Sequence, residues 1–272
     1  MDSAGTLLRA VLADLAAEAR VSRAAALLDE PDAVHHLRTT VRRQRNLLAA
    51  FRRCFEPTAA ASFAAALAAY GSLLGECRDL EVRAEDATAA LAALGLEELA
   101  EPVLAPLLAG HAVAHRTLVA WHAGPGVEEL DALLDRWADA PPLTRRARKP
   151  ADVVAAAAVR RQVRRVLARA DEAVAGTEEA RHGLRKAARR LRHTADAVLV
   201  VDPGVAVPGR LGHRVQSALG EHRDALLLAA HVRDSGVGAS YDRVVALAEQ
   251  AAARALEGLA EPLVALRGTA GS

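Results

Sequence analysis

Along residues 35 to 51 the polar and apolar positions separate cleanly around a helix. His35, Arg38, Arg42 and Arg45 fall within roughly 80° of one another at 100° per residue, while Leu37, Val41, Leu48 and Phe51 fall on the other side. The same division recurs further on, with His182, Arg185, Arg189 and Arg192 on one side and Leu184, Ala188 and Leu191 on the other. Breakers cut the chain into stretches of this kind at Pro31, Pro57, Gly95, Gly124-Pro125-Gly126, Pro141-Pro142 and Pro150. Others follow at Gly176, Pro203-Gly204, Pro208-Gly209 and Gly236 to Gly238, which together predict about ten helices. Asp32 is placed to cap the helix opening at Ala33, and Thr177 with Glu178 and Glu179 to cap the next basic one. Val198 to Val201 and Val205 to Val207 are the only strand-like runs; they read as a helix end and a loop. The expected fold class is all-α.

The basic stripe belongs to an internal repeat. His35-His36-Leu37-Arg38-Thr39-Thr40-Val41-Arg42-Arg43-Gln44-Arg45 returns 147 residues later as His182-Gly183-Leu184-Arg185-Lys186-Ala187-Ala188-Arg189-Arg190-Leu191-Arg192. A second element, Leu74-Gly75-Glu76-Cys77-Arg78-Asp79, returns 145 residues later as Leu219-Gly220-Glu221-His222-Arg223-Asp224. Order and separation are both kept. The halves run from about 1 to 140 and 151 to 272, joined by a basic, Pro-rich linker at 141 to 150. Two related helical bundles about a pseudo-twofold axis are the natural packing.

Composition agrees with helices: of 272 residues 52% are hydrophobic, mostly Ala, Leu and Val, and only 3% are aromatic. A net charge of +1 argues by itself against a polyanion partner, but the charge is unevenly spread. Residues 33 to 55 hold six arginines and no acid, and residues 141 to 170 hold nine basic residues against Asp152 alone. Acids gather in 76 to 101 and 128 to 139, so the signs are segregated. Cys54 and Cys77 lack metal-ligand spacing and suit a reducing compartment. The start, Met1-Asp2-Ser3-Ala4-Gly5, has no leader pattern, and unbroken apolar runs such as Val153 to Val159 are far too short to span a bilayer. A cytoplasmic protein without membrane insertion, metal or cofactor is expected.

A solvated face needs charge but not a fixed order of His, Arg, Arg-Arg and Arg. Several arginines held close together repel unless acids or a bound anion compensate. Guanidinium forks suit phosphate oxygens and stay charged at any relevant pH, and histidine adds a pH-dependent donor. Arg43 and Arg190 flank the stripe, Lys186 and His193 join it, and Arg160, Arg161, Arg164 and Arg165 make the second half more basic. Asp79 and Asp224 are placed to hold motif arginines from behind. Gly75 and Gly220 read as tight helix junctions or close helix approaches.

The two H-x-L-R-x-x-x-R-R-x-R copies and the two L-G-x-x-R-D copies make the chain, from about residue 5 to 266, resemble the CHAD family, the conserved-histidine alpha-helical domain. The resemblance implies a basic central pore that binds inorganic polyphosphate, in a single domain of two bundles. Carried over, the lining is His35, Arg38, Arg42, Arg45 and Arg78 from the first half and His182, Arg185, Arg189, Arg192 and Arg223 from the second. Arg43, Arg164, Lys186, Arg190 and His193 join them as candidate polyphosphate contacts by their own places on or beside the basic helices. Polyphosphate storage granules are then a natural partner. The E-x-E-x-K strand of triphosphate tunnel enzymes, which sometimes precede such domains, is not found, and no catalysis is expected. Arg181-His182-Gly183 matches the R-H-G of histidine phosphatases, but that motif follows a strand, whereas Thr177 to Ala180 begins a helix. Non-specific nucleic-acid binding is the rival reading, since basic helices also meet phosphate backbones; few aromatics are present for base stacking.

Overall fold

The computed structural model describes residues 3–173 and 176–270; Met1 and Asp2 of the amino-terminal stretch lie outside the described residues. Ten α-helices account for most of what is described. The first five are α1 (Ala4–Leu27), α2 (Ala33–Ala50), α3 (Pro57–Leu94), α4 (Ala100–His122) and α5 (Pro125–Asp139). A basic connection with a 3-10 turn at Arg145–Arg148 leads to α6 (Ala151–Ala173), α7 (Glu178–Val198), α8 (Ala206–Ser235), α9 (Ala239–Glu257) and α10 (Ala260–Ala270). The two repeat motifs thus open α2 and α7 and occupy the middle of α3 and α8.

Local chemistry sets the helix ends. Glu56 accepts hydrogen bonds from the backbone N–H of Thr58 and Ala59 ahead of Pro57 in the first turn of α3. The helix ends where Gly95 turns left-handed at φ +62°. Thr177 accepts from Ala180 N–H and so starts α7, with Glu178 and Glu179 in its first turn. Asp32 behaves differently from the sequence expectation. Its backbone is left-handed at φ 58° and its side chain makes no capping bond; the carboxylate faces Arg78 instead. Val205 to Val207 are no loop either: Val205 closes a 3-10 turn and Val207 lies in the first turn of α8. Pro208 follows it there because a proline in a first turn forfeits no helical hydrogen bond.

Helices of equal rank in the two halves meet: α1 packs on α6, α2 on α7 and α3 on α8. The core therefore does not divide at the linker. One cluster joins Leu8, Leu37, Phe63 and Leu74 of the first half with Val159, Leu184, Leu191 and Val215 of the second. A smaller one, around Leu91, Val103, Leu228 and Val244, ties the far ends of α3 and α8 to α4 and α9. Pro57–Leu94 and Glu97–His122 are long and apolar enough by length and composition to cross a bilayer, although small polar residues and charges interrupt their apolar runs. Both bury side chains in this core, Phe63, Leu67 and Tyr70 from one, Val103, Leu107 and Leu118 from the other. The two cysteines are buried and unpaired, and burial pushes the Cys77 thiol up to about 11.

Candidate functional site

Where α2 meets α7, the polar sides of both motif helices turn toward α3 and α8 and enclose a pocket of about 350 Å³. Eight of the expected residues line it: His35, Arg38, Arg42 and Arg78 from the first half, His182, Arg185, Arg189 and Arg223 from the second. Asp79 and Asp224 line it too. The remaining wall includes Thr39, Val82, Arg83, Asp86, Gln216 and Leu227, none of which the motifs single out. Their signal is periodic: 82, 83 and 86 continue the face of α3 that carries Asp79, and 216 and 227 flank that of Gly220 and Asp224 on α8. Seven arginines against three aspartates leave an excess of four positive charges in the lining.

The L-G-x-x-R-D element now has a physical meaning. Gly75 and Asp79 are four residues apart and share one face of α3. A Cβ on Gly75 would meet the Arg38 guanidinium at 3.5 Å, and Arg38 Nη1 donates to Asp79 Oδ1 at 2.7 Å. Glycine provides a flat seat and the aspartate holds one edge of the fork. In α8 a Cβ on Gly220 would stand 3.3 Å from Arg185 Nη2, and Arg185 is drawn electrostatically to Asp224. Both glycines lie inside long helices, so of the two sequence readings the helix junction falls; each is instead where an arginine of the adjacent motif helix comes close.

The arginines are not equivalent. Arg78 Nη1 is surrounded by Glu81 at 2.9 Å, Glu85 at 3.2 Å and Asp32 at 3.5 Å, so its charge is largely answered within the protein. Arg42, Arg185, Arg189 and Arg223 form no ion pair with an acid among the described residues. The Nε atoms of Arg185 and Arg189 are buried without a hydrogen-bond partner. Burial, reinforced by neighbouring arginines, pushes Arg42 down to about 10 and Arg189 to about 9. Both remain cations at pH 7, in mutual repulsion with Arg38 and Arg185. Burial and the same positive surroundings lower His35 and His182 below the ordinary imidazole value. Burial raises Asp86 and Asp224 above the ordinary carboxylate value, so protonation of these acids adds to the positive excess as pH falls.

Seven expected residues are not in this lining. Arg43 Nη1 donates to Glu18 Oε2 at 2.8 Å, and Arg192 lies 3.8 Å from Asp196. Arg45 of α2 has its Nη1 3.7 Å from where a Cβ on Gly71 of α3 would stand, and it lines a separate groove. Lys186 is outside the lining, although its charge acts on His182. His193 is buried at 6% exposure and pushed down to about 3 by burial and Arg192, so it is a neutral packing residue at pH 7. Arg164 and Arg190 line another cavity altogether. The stripe of each motif helix is longer than the pocket: at its far end Arg192 faces an acid in α7, whereas Arg45 in α2 is exposed.

An all-helical chain whose repeated basic helices meet over a positively charged pocket is a narrow structural class, and comparison with known proteins places it. The CHAD domain family model matches residues 6–233, and the chain belongs to the CHAD family. PptA from Streptomyces chartreusis has a similar structure, with a TM-score of 0.74 and 19% identity over 96% of this chain and 99% of that one. The CHAD domain from the plant Ricinus communis aligns with a TM-score of 0.71 and 17% identity over 100% of this chain and 92% of that one. No curated protein matches the chain.

Proposed function

We propose that the protein binds inorganic polyphosphate, without catalysis, in the pocket between α2, α7, α3 and α8. The observation that carries the reading is the set of four arginines, Arg42, Arg185, Arg189 and Arg223, brought together from both halves with no acid paired to them. Such a cluster is costly unless an external anion compensates it. A linear chain of phosphates offers repeated oxygens to guanidinium forks, and family membership supports the choice. The matching of α2 with α7 and α3 with α8 supports a pseudo-twofold site that grips the polyanion from both sides, as a pore would.

Titration of the purified protein with long-chain polyphosphate at two salt concentrations tests the proposal. Binding should weaken steeply with salt, because neutralising each phosphate releases counterions. Arg42→Glu combined with Arg189→Glu should abolish it while circular dichroism shows unchanged helix content. Absence of binding at both salt concentrations sinks the reading. Duplex DNA that polyphosphate fails to displace would favour a nucleic-acid ligand instead.

A further inference from the structure

A second concentration of positive charge lies away from the central pocket. Arg161, Arg164 and Arg165 of α6, Arg52 and Arg53 just beyond α2, and Arg190 of α7 line a cavity of about 460 Å³ whose lining contains no acid. That size lies within the range of small-ligand sites. None of the six forms an ion pair among the described residues. Arg161 serves the packing of the helices, since it donates to the carbonyls of Ala157 and of Ala50, the last residue of α2. The others have no such occupation. The Nε of Arg190 is buried without a partner, and burial and Arg165 hold its pKa below the ordinary guanidinium value. Gln162, 6% exposed, lines the same cavity, and its Oε1 has no hydrogen bond.

The internal repeat supplies a built-in control. Helices α1 and α6 start at Ala4 and Ala151, the same offset of 147 that relates the motif helices. It pairs Arg190 with Arg43, Arg165 with Glu18 and Arg161 with Asp14. In the first half Arg43 donates to Glu18 at 2.8 Å, and Thr40 Oγ1 donates to the other oxygen of the same carboxylate at 2.8 Å. In the second half that acid is an arginine. One place in the fold is thus a closed ion pair in one half and an open, unanswered arginine cluster in the other. Replacing the acid by a like charge adds repulsion, which an anion from outside would relieve.

We infer that this cavity is a second anion site, which binds condensed phosphate independently of the central pocket. The ligand class rests on the reading of that pocket, whereas the existence of the site does not. No aromatic side chain lines the cavity, so the bases of a nucleic acid would find no stacking surface.

Calorimetric titration of the full chain with sodium tripolyphosphate tests the inference. The unsubstituted protein should take up two anions. Arg165→Glu installs opposite Arg190 the pair that Arg43 and Glu18 already form, so the fold has a precedent for it. It should remove one site or weaken it at least tenfold. Arg42→Glu with Arg189→Glu should remove the other site. Arg52→Gln with Arg53→Gln, both exposed, repeats the test without introducing a new acid. If both the Arg165→Glu and the Arg52/Arg53 variants keep every site at unchanged affinity, the inference is overturned. If they lose a site while the Arg42/Arg189 variant loses none, the second site stands and the central pocket's assignment falls.

Discussion

Arg189→Met separates the stability of the protein from its binding in one residue. Arg189 is held charged in a buried position, with its Nε unpartnered and its pKa pushed from the ordinary guanidinium value to about 9 by burial and then by Arg42, Arg185 and Arg38. At roughly 1.4 kcal/mol per pH unit, that fall puts an upper bound on the order of 4 to 5 kcal/mol on the cost of the charge at pH 7. Methionine keeps much of the side-chain volume and removes the charge, and replacements of buried ionic groups by hydrophobes of similar volume gain roughly 1 to 4 kcal/mol. A gain of about 2 kcal/mol is expected, or a rise in Tm of about 4 to 8 °C for a chain of this size. Because the folded-state pKa lies below the unfolded one, the penalty is fully present below about pH 9 and relieved only as pH rises further. Titration of Arg189 itself therefore adds no slope from pH 5 to 8, and the gain should grow only toward pH 5, where His182, which Arg189 repels, takes up its proton. Thermal melts followed by circular dichroism, in buffer free of phosphate and sulfate, measure it. With polyphosphate at about 100 times Kd the unsubstituted protein should gain about 2.7 kcal/mol, and the variant much less. A lower Tm for the variant without ligand would mean that Arg189 holds the fold together, and the reasoning from unanswered charge would fail.

Two more outcomes follow from the pocket. His35 and His182 are neutral above the ordinary imidazole range because burial and nearby cations lower their pKa values, and a bound polyanion raises them. Affinity should therefore increase as pH falls through the histidine range; titrations from pH 5 to 8 that give one constant affinity refute it. Gly220→Val places a branched side chain where the Arg185 guanidinium sits, 3.3 Å from the position of a Cβ. It should weaken polyphosphate binding about tenfold, or by about 1.4 kcal/mol, with helix content retained. Unchanged affinity would show that Arg185 does not need its seat.

The elements were legible because their signals are local. Pro57 and Gly95 bound α3, Thr177 starts α7, and the amphipathic split of the motif helices fixes which side meets the core. The pocket was legible as far as the repeat reached, since a fixed order of His and Arg in both halves points to one shared space. What escaped depended on distant parts of the chain. Glu18 takes Arg43 from 25 residues away, and no reading of the stripe reveals it. His193 continues the basic pattern in sequence yet is buried in the packed structure. Arg83, Asp86 and Gln216 carry no motif, and only the helical period running on from Asp79 and Gly220 marks them. An aspartate ahead of a helix suggests a cap, but the left-handed backbone of Asp32 turns its carboxylate toward Arg78.

The most direct test is a crystal structure of the protein grown with tripolyphosphate. The account predicts phosphate oxygens within about 3 Å of the guanidinium groups of Arg42, Arg185, Arg189 and Arg223, the distance of charge-assisted hydrogen bonds. Phosphate bound only to arginines on the outer surface, with the space between α2 and α7 filled by water, would contradict it.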